Sequence, residues 1–157
     1  MTTQAAPATR VMTPAQCRKL TAFGDHVTVL LDGQTTGGQF TMVAIDTPPA
    51  GGPPVHRHHN EDEWFYPLEG RYQFYRDGQW LDVPVGGCVY SPRGVWHTFR
   101  NAGDTTGRMI VHMTPSGFEH FFEQCADEWA KAATPEDLDM PRVLAISAAH
   151  GIEFMPQ

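Results

Sequence analysis

The sequence predicts an all-β fold, a small β-barrel or double-sheet jelly roll, with α-helices appended after it. Three observations predict it. The chain of 157 residues is 41% hydrophobic and 18% charged, which is enough apolar material for one packed domain and too little charge for a disordered chain. Its 15 glycines and 13 prolines cut it into short segments joined by turns. Short β-branched and aromatic runs recur at close spacing up to residue 114, where an apolar pattern of helical period takes over.

Residues 1–24 read as an N-terminal extension. Residues 1–10 are small and polar and are expected to fray, and residues 14–20 suit one helical turn with Thr13 as cap and Pro14 at its first position. The barrel is expected over residues 25–114. His26 to Leu31 is a strand ending at the Asp32-Gly33 turn. From Gln39 to Asp46, Thr41, Val43 and Ile45 alternate with Phe40, Met42 and Ala44, as strand residues on opposite faces do. Thr47 to Pro54 is a stiff, bent loop. Strands follow at Glu63–Leu68, Arg71–Arg76, Trp80–Val83, Cys88–Ser91, Val95–Asn101 and Arg108–Thr114, with Asp77-Gly78 as a hairpin turn.

Residues 115–157 form a helical segment packed on the barrel. Phe118, Phe121, Phe122, Cys125 and Trp129 make one apolar stripe, with Glu119, Glu123, Asp127 and Glu128 off it and Thr114 or Ser116 as the expected cap. A stripe this apolar docks, either as a brace or as a partial lid with Phe121 or Phe122 at the entrance. Thr134-Pro135-Glu136-Asp137 is a helix-start pattern, and Gly151 stops a last helix over Asp139 to His150.

Charge and composition exclude several partners. Lys plus Arg is 11 against 18 for Asp plus Glu, a formal net charge of −7, which suits neither nucleic acid nor an anionic membrane. The apolar runs fall far short of the roughly 20 residues that span a bilayer. The start lacks a positive region followed by an apolar run, so a cytoplasmic protein is expected. Cys17, Cys88 and Cys125 are widely spaced, which predicts buried free thiols rather than a disulfide framework.

The informative stretch is His56-Arg57-His58-His59-Asn60-Glu61-Asp62-Glu63. Residues two apart on a strand point the same way, so His56 and His58 project side by side, within reach of one ion. A turn over His59 to Asp62 would bring Glu63 in from the neighbouring strand. His97, after the Pro92-Arg93-Gly94 turn, is the fourth candidate ligand.

These residues resemble the cupin superfamily. Its first motif is matched by His56-x-His58-x4-Glu63-x6-Gly70, and its second by Gly86-x5-Pro92-x-Gly94-x2-His97-x3-Asn101, at every fixed position. Two departures touch no ligand. The upstream glycine, Gly51, has four residues rather than five before His56, and Pro67 stands in a strand where it cannot donate to a ladder, so a bulge or an edge is expected there. The resemblance implies one divalent transition metal per chain on His56, His58, Glu63 and His97. Fe, Ni, Co or Mn suit three imidazoles and a carboxylate best, and Zn or Cu also fit. Strand parity then places Phe65, Val95 and Phe99 around the site, and Phe74, Met109 and Val111 are candidates to complete an apolar wall with Phe121 and Phe122.

The wording around the first motif is similar to single-domain bacterial cupins of the quercetin 2,3-dioxygenase type. That similarity implies an enzyme that cleaves a flavonol or similar aromatic small molecule with dioxygen, with Glu63 as both ligand and base. A non-oxidative cupin isomerase, cyclase or lyase, and a non-catalytic binding cupin, are the other readings. The complete ligand set argues against the last. Trp64, Tyr66 and Leu68 on the outer face of their strand, together with the habit of the family, predict a homodimer.

Overall fold

The computed structural model describes residues 8–156, so most of the segment expected to fray lies outside the described residues. Eleven strands and three α-helices follow in order. β1 (Arg18–Ala22) and β2 (Asp25–Leu31) form a hairpin. The short α1 (Gly33–Thr36) leads to β3 (Thr41–Thr47), then β4 (His56–His58), β5 (Asp62–Glu69), β6 (Tyr72–Arg76) and β7 (Gln79–Val83). β8 (Val89–Ser91), β9 (Thr98–Asn101) and β10 (Gly107–Thr114) complete the barrel strands. α2 (Glu119–Lys131), α3 (Met140–Ala149) and β11 (Ile152–Phe154) follow.

The strands make the two layers of a jelly roll. One sheet runs β1-β2-β3-β10-β5-β8, and facing it are a sheet of β7-β6-β9 and a pair β11-β4. Strand alternation decides what is buried between them. Thr41, Val43, Ile45 and Thr47 of β3 are buried, as are Met109, Val111 and Met113 of β10 and Phe65 of β5. Phe65, Phe74 and Phe99 cluster across the layers, with ring centroids 5.1 to 6.1 Å apart. Pro67 is accommodated by a bulge: Arg108 faces Glu69 and Met109 faces Pro67, so Leu68 has no partner of its own on β10.

Four local expectations differ from the structure. Residues 14–16 are a turn, with the Gln16 N–H donating to the Thr13 carbonyl at 2.9 Å, and residues 18–20 of the expected helical turn belong to strand β1. Pairing with β2 there buries Ala22, and this outweighs a local cap signal. Asp32-Gly33 opens a short helix rather than a simple turn, the Asp32 carboxylate accepting from the Thr35 N–H at 2.8 Å as its cap. Neither Thr114 nor Ser116 caps α2; the Glu119 carboxylate takes the Gly117 N–H at 2.8 Å and the Thr41 hydroxyl. Of the three free thiols only Cys125 is buried, and Cys88 is exposed. Among the described residues no helix is long and apolar enough to cross a membrane.

The C-terminal segment packs where the sheets open. Phe118, Phe121 and Cys125 of the helical stripe are buried, and Trp129 meets Phe23 of the β1–β2 turn edge-to-face at 5.9 Å. After α3, Gly151 (φ 72°) turns the chain and β11 returns to pair with β4.

Candidate metal centre

The ligand strand β4 is only three residues long, and it is held on both sides. On one side β11 pairs Ile152 with His58 and Phe154 with His56. The outward-pointing Arg57 is gripped by Glu153 through two hydrogen bonds of 2.8 and 2.9 Å. On the other side His56 and His97 exchange backbone hydrogen bonds of 3.0 and 2.9 Å, which sets their side chains next to each other. The turn before His97 is closed by the Val95 N–H donating to the Pro92 carbonyl at 3.2 Å, with Gly94 at φ 81°. Glu63 enters from β5, where it is paired with Ser91 and Met113.

The four side chains meet as the motifs imply. All four are buried, and one ligand atom from each lies within 4.8 Å of the others. The His97 and His58 Nε2 atoms stand 2.7 and 3.2 Å from the same Glu63 oxygen. Each imidazole is oriented from behind. His56 Nδ1 is 2.8 Å from the Pro54 carbonyl, His97 Nδ1 is 2.9 Å from the Val95 carbonyl, and His58 Nδ1 is 3.2 Å from a Glu61 carboxylate oxygen. These oxygens call for a ring proton on each Nδ1, which turns the Nε2 atoms toward the Glu63 carboxylate. Ring nitrogens and a carboxylate turned on one point in a buried site are drawn together either by a cation or by a proton between His97 and Glu63. The donor set fits a divalent transition metal on chemical grounds.

Burial first, and then neighbouring His97 and His58, push His56 down to about 4, so its ring is neutral at physiological pH. Burial pushes Glu63 up, but His58, His97 and His56 together outweigh it and hold the carboxyl at about 2. For His97 burial acts downward and contact with Glu63 outweighs it, raising the ring above its ordinary value.

A cavity of about 320 Å³ opens onto this cluster. His56, His58 and Glu63 form its polar wall; Phe65, Phe99 and Val111 line it from the barrel, and Phe121 and Phe122 from α2. Phe74 and Met109 are buried in the core without lining it. Val95 is corrected: it is 46% exposed and outside the cavity. β9 begins at Thr98, so Val95 belongs to the preceding turn and does not share the alternation of His97. Its contribution to the site is the carbonyl behind His97. Several lining residues escape a reading by strand parity. Phe118 packs on the His58 ring at 4.7 Å, Met140 and Val143 come from α3, Ile152 and Phe154 from β11, and Asp25 from the start of β2. Glu61 was the other omission; its only sequence signal was an acid between two ligands in a turn.

A double sheet of short antiparallel strands, with three histidines and a glutamate converging inside it, defines the cupin class. Residues 44–113 match the family model of the cupin domain, and the fold around them is the cupin jelly roll. Over 136 residues, 84% of its length, the chain is 29% identical to a quercetin 2,3-dioxygenase of Bacillus subtilis, covering 40% of that protein. It is 33% identical over 60 residues to the polyketide synthase CurC of Streptomyces cyaneus, covering 38% of this chain and 39% of that one. The chain thus spans about two-fifths of the length of these curated relatives. An RmlC-like cupin from Shewanella frigidimarina superposes with a TM-score of 0.60 at 18% identity, over 72% of this chain and 96% of that one, a likeness of fold alone.

Proposed function

We propose that this cupin is a metal-dependent dioxygenase of the quercetinase type, cleaving a flavonol or similarly oxygenated aromatic molecule with dioxygen. The observation that carries the proposal is the junction of the buried His56, His58, Glu63 and His97 cluster with a cavity walled by aromatic rings. The rings of Phe65, Phe99, Phe118, Phe121, Phe122 and Phe154 suit a flat apolar body, and polar atoms are confined to a few places, as in sites that orient a small molecule. Similarity to quercetin 2,3-dioxygenase along most of the chain supports the choice of substrate class.

A divalent ion on the four ligands, Fe, Ni, Co or Mn by preference, would supply a Lewis acid with open positions for substrate oxygen and dioxygen. The chain's own residues do the rest. Glu63 is ionised and takes the proton of the substrate hydroxyl on a carboxylate oxygen. The phenylalanines hold the ring system and exclude water. Glu61 and the Pro54 and Val95 carbonyls keep the imidazoles aimed.

A non-oxidative reaction, such as cyclisation or isomerisation with the metal as Lewis acid alone, is supported by the shorter match to the polyketide synthase CurC. Oxygen uptake with a flavonol panel separates the two, using protein loaded in turn with Fe, Ni, Co and Mn. Uptake stoichiometric with flavonol loss is expected; turnover without uptake would favour the second reading.

The working unit of this proposal is a homodimer. Of the three residues read as the exposed row, Tyr66 and Leu68 lie exposed on the outer face of the larger sheet together with Tyr90, whereas Trp64 is half-buried against Tyr90 and His112; α2 packs beside β1 and leaves this face uncovered. A second copy of the chain, laid sheet to sheet, would bury them. Light scattering at micromolar concentration should give twice the chain mass, and a monomer would refute it.

A further inference from the structure

Asp25 is the one ionisable side chain, among the described residues, that lines the cavity outside the metal cluster. It opens β2 on the same face as the buried Val27 and Val29, so strand alternation aims it inward. Its place along the sheet is remote from the ligands. His26 faces Asp46, which sets Asp25 level with Thr47 at the end of β3. Glu63, by contrast, faces Met113, which faces Thr41 at the beginning of β3.

The surroundings of Asp25 are polar and incompletely paired. The Thr47 and Tyr72 hydroxyls are buried beside it and make no hydrogen bond of ordinary length among the described residues, although the Thr47 hydroxyl lies near enough to act on both Asp25 and Tyr72. Gly107, the β10 partner of Thr47, lies directly under the Tyr72 ring: a Cβ there would come within 2.8 Å of the Tyr72 hydroxyl. The Asp25 carboxyl thus stands at the end of the chamber away from the metal ligands, with the two hydroxyls buried behind it and outside the cavity lining. Buried polar groups left without partners cost stability and are rare unless a ligand or an ordered water completes them.

We propose that Asp25 is a specificity-determining residue whose carboxyl group holds a hydroxyl at the end of the substrate remote from the metal ligands. The inference rests on the proposed aromatic substrate class and narrows it: the molecule carries oxygen at both ends, one set for the metal and one for Asp25. Burial also lifts this carboxyl to about 7, with the neighbouring Thr47 hydroxyl offsetting part of the effect, so near neutrality it donates a hydrogen bond as readily as it accepts one. A group tuned in this way, with no ion-pair partner, has no evident structural duty.

The test compares two ligands on metal-loaded protein held without oxygen, by calorimetric titration. Quercetin carries hydroxyls at both ends of its ring system, whereas 3-hydroxyflavone carries only the hydroxyl that faces the metal. Wild-type protein should bind quercetin about tenfold more tightly, the effect of one buried hydrogen bond. Asp25→Leu should bring the ratio close to one without weakening 3-hydroxyflavone, and Asp25→Ala is read in the same way should the leucine variant not fold. A ratio near one in the wild type, an unchanged ratio in the variant, an equal loss for both ligands, or no binding of either would each overturn the inference. The parent reading fails separately: bound flavonol without oxygen uptake removes the dioxygenase and leaves the ligand ratio standing.

Discussion

The two ends of the cavity are built on opposite plans. At the metal end each histidine has its outer nitrogen engaged, by the Pro54 carbonyl, Glu61 or the Val95 carbonyl, and turns its inner nitrogen toward Glu63. At the far end Asp25 stands beside two buried hydroxyls that make no hydrogen bond of ordinary length among the described residues. The first arrangement is complete except for a cation and is preorganised for it. The second leaves one carboxyl facing the cavity, open to a polar group of whatever enters. One end therefore fixes the chemistry, and the other is free to select what undergoes it.

The largest effect expected at the metal end comes from Glu63→Gln. Glutamine keeps the size and one oxygen donor but cannot take up a proton, so kcat should fall by about 10²–10⁴-fold while metal content falls far less. Steady-state rates alongside elemental analysis check this, and wild-type turnover in the variant would remove the base role. Glu61→Gln comes next. It weakens the hold on His58 from behind, and metal affinity in a chelator competition should drop about 10–100-fold. Unchanged affinity would mean that Glu61 does not orient the ligand.

The smallest effect belongs to the far end, and it has a definite sign. Asp25 is raised from its ordinary 3.8 to about 7 by burial. Between those values the folded chain keeps a proton that the unfolded chain has lost, so this group's contribution to stability is fully present below about pH 4 and lost as pH rises through 7. Tyr72, the other titratable group beside it, is pushed to about 12 by burial and stays neutral over this range. Asp25→Asn should thus stabilise the fold at pH 8 by on the order of 1–3 kcal/mol and have little effect at pH 4. Thermal melts at both values measure it. A variant less stable than wild type at pH 8 would show that Asp25 is held by partners in the fold, and the contrast between the two ends would vanish.

The same contrast governs what could be read from the residues alone. The four ligands were legible because strand period and turn placement bring His56, His58, Glu63 and His97 together through local geometry. Most of the strands were legible for the same reason. Glu61 was hidden because an acid in a turn next to ligands looks like any solvated turn residue. Asp25 was hidden by a boundary: a strand read from His26 leaves it in the turn, whereas the true start at Asp25 puts it on the face of Val27 and Val29. Val95 was misplaced by the same kind of shift, since β9 starts three residues later than its apolar run suggests. Strand β11 could not be read at all. Ile152-Glu153-Phe154 is too short to carry a period, and its pairing with β4 is decided by where α2 and α3 deliver the chain.

The central claim is that the cluster is a metal centre, and metal content tests it most directly. Protein purified without chelators should contain close to one transition-metal ion per chain by elemental analysis, and His97→Ala should lose most of it while remaining folded by circular dichroism. A wild-type protein that takes up no metal when reconstituted, or a His97→Ala variant with full metal content, would contradict the account.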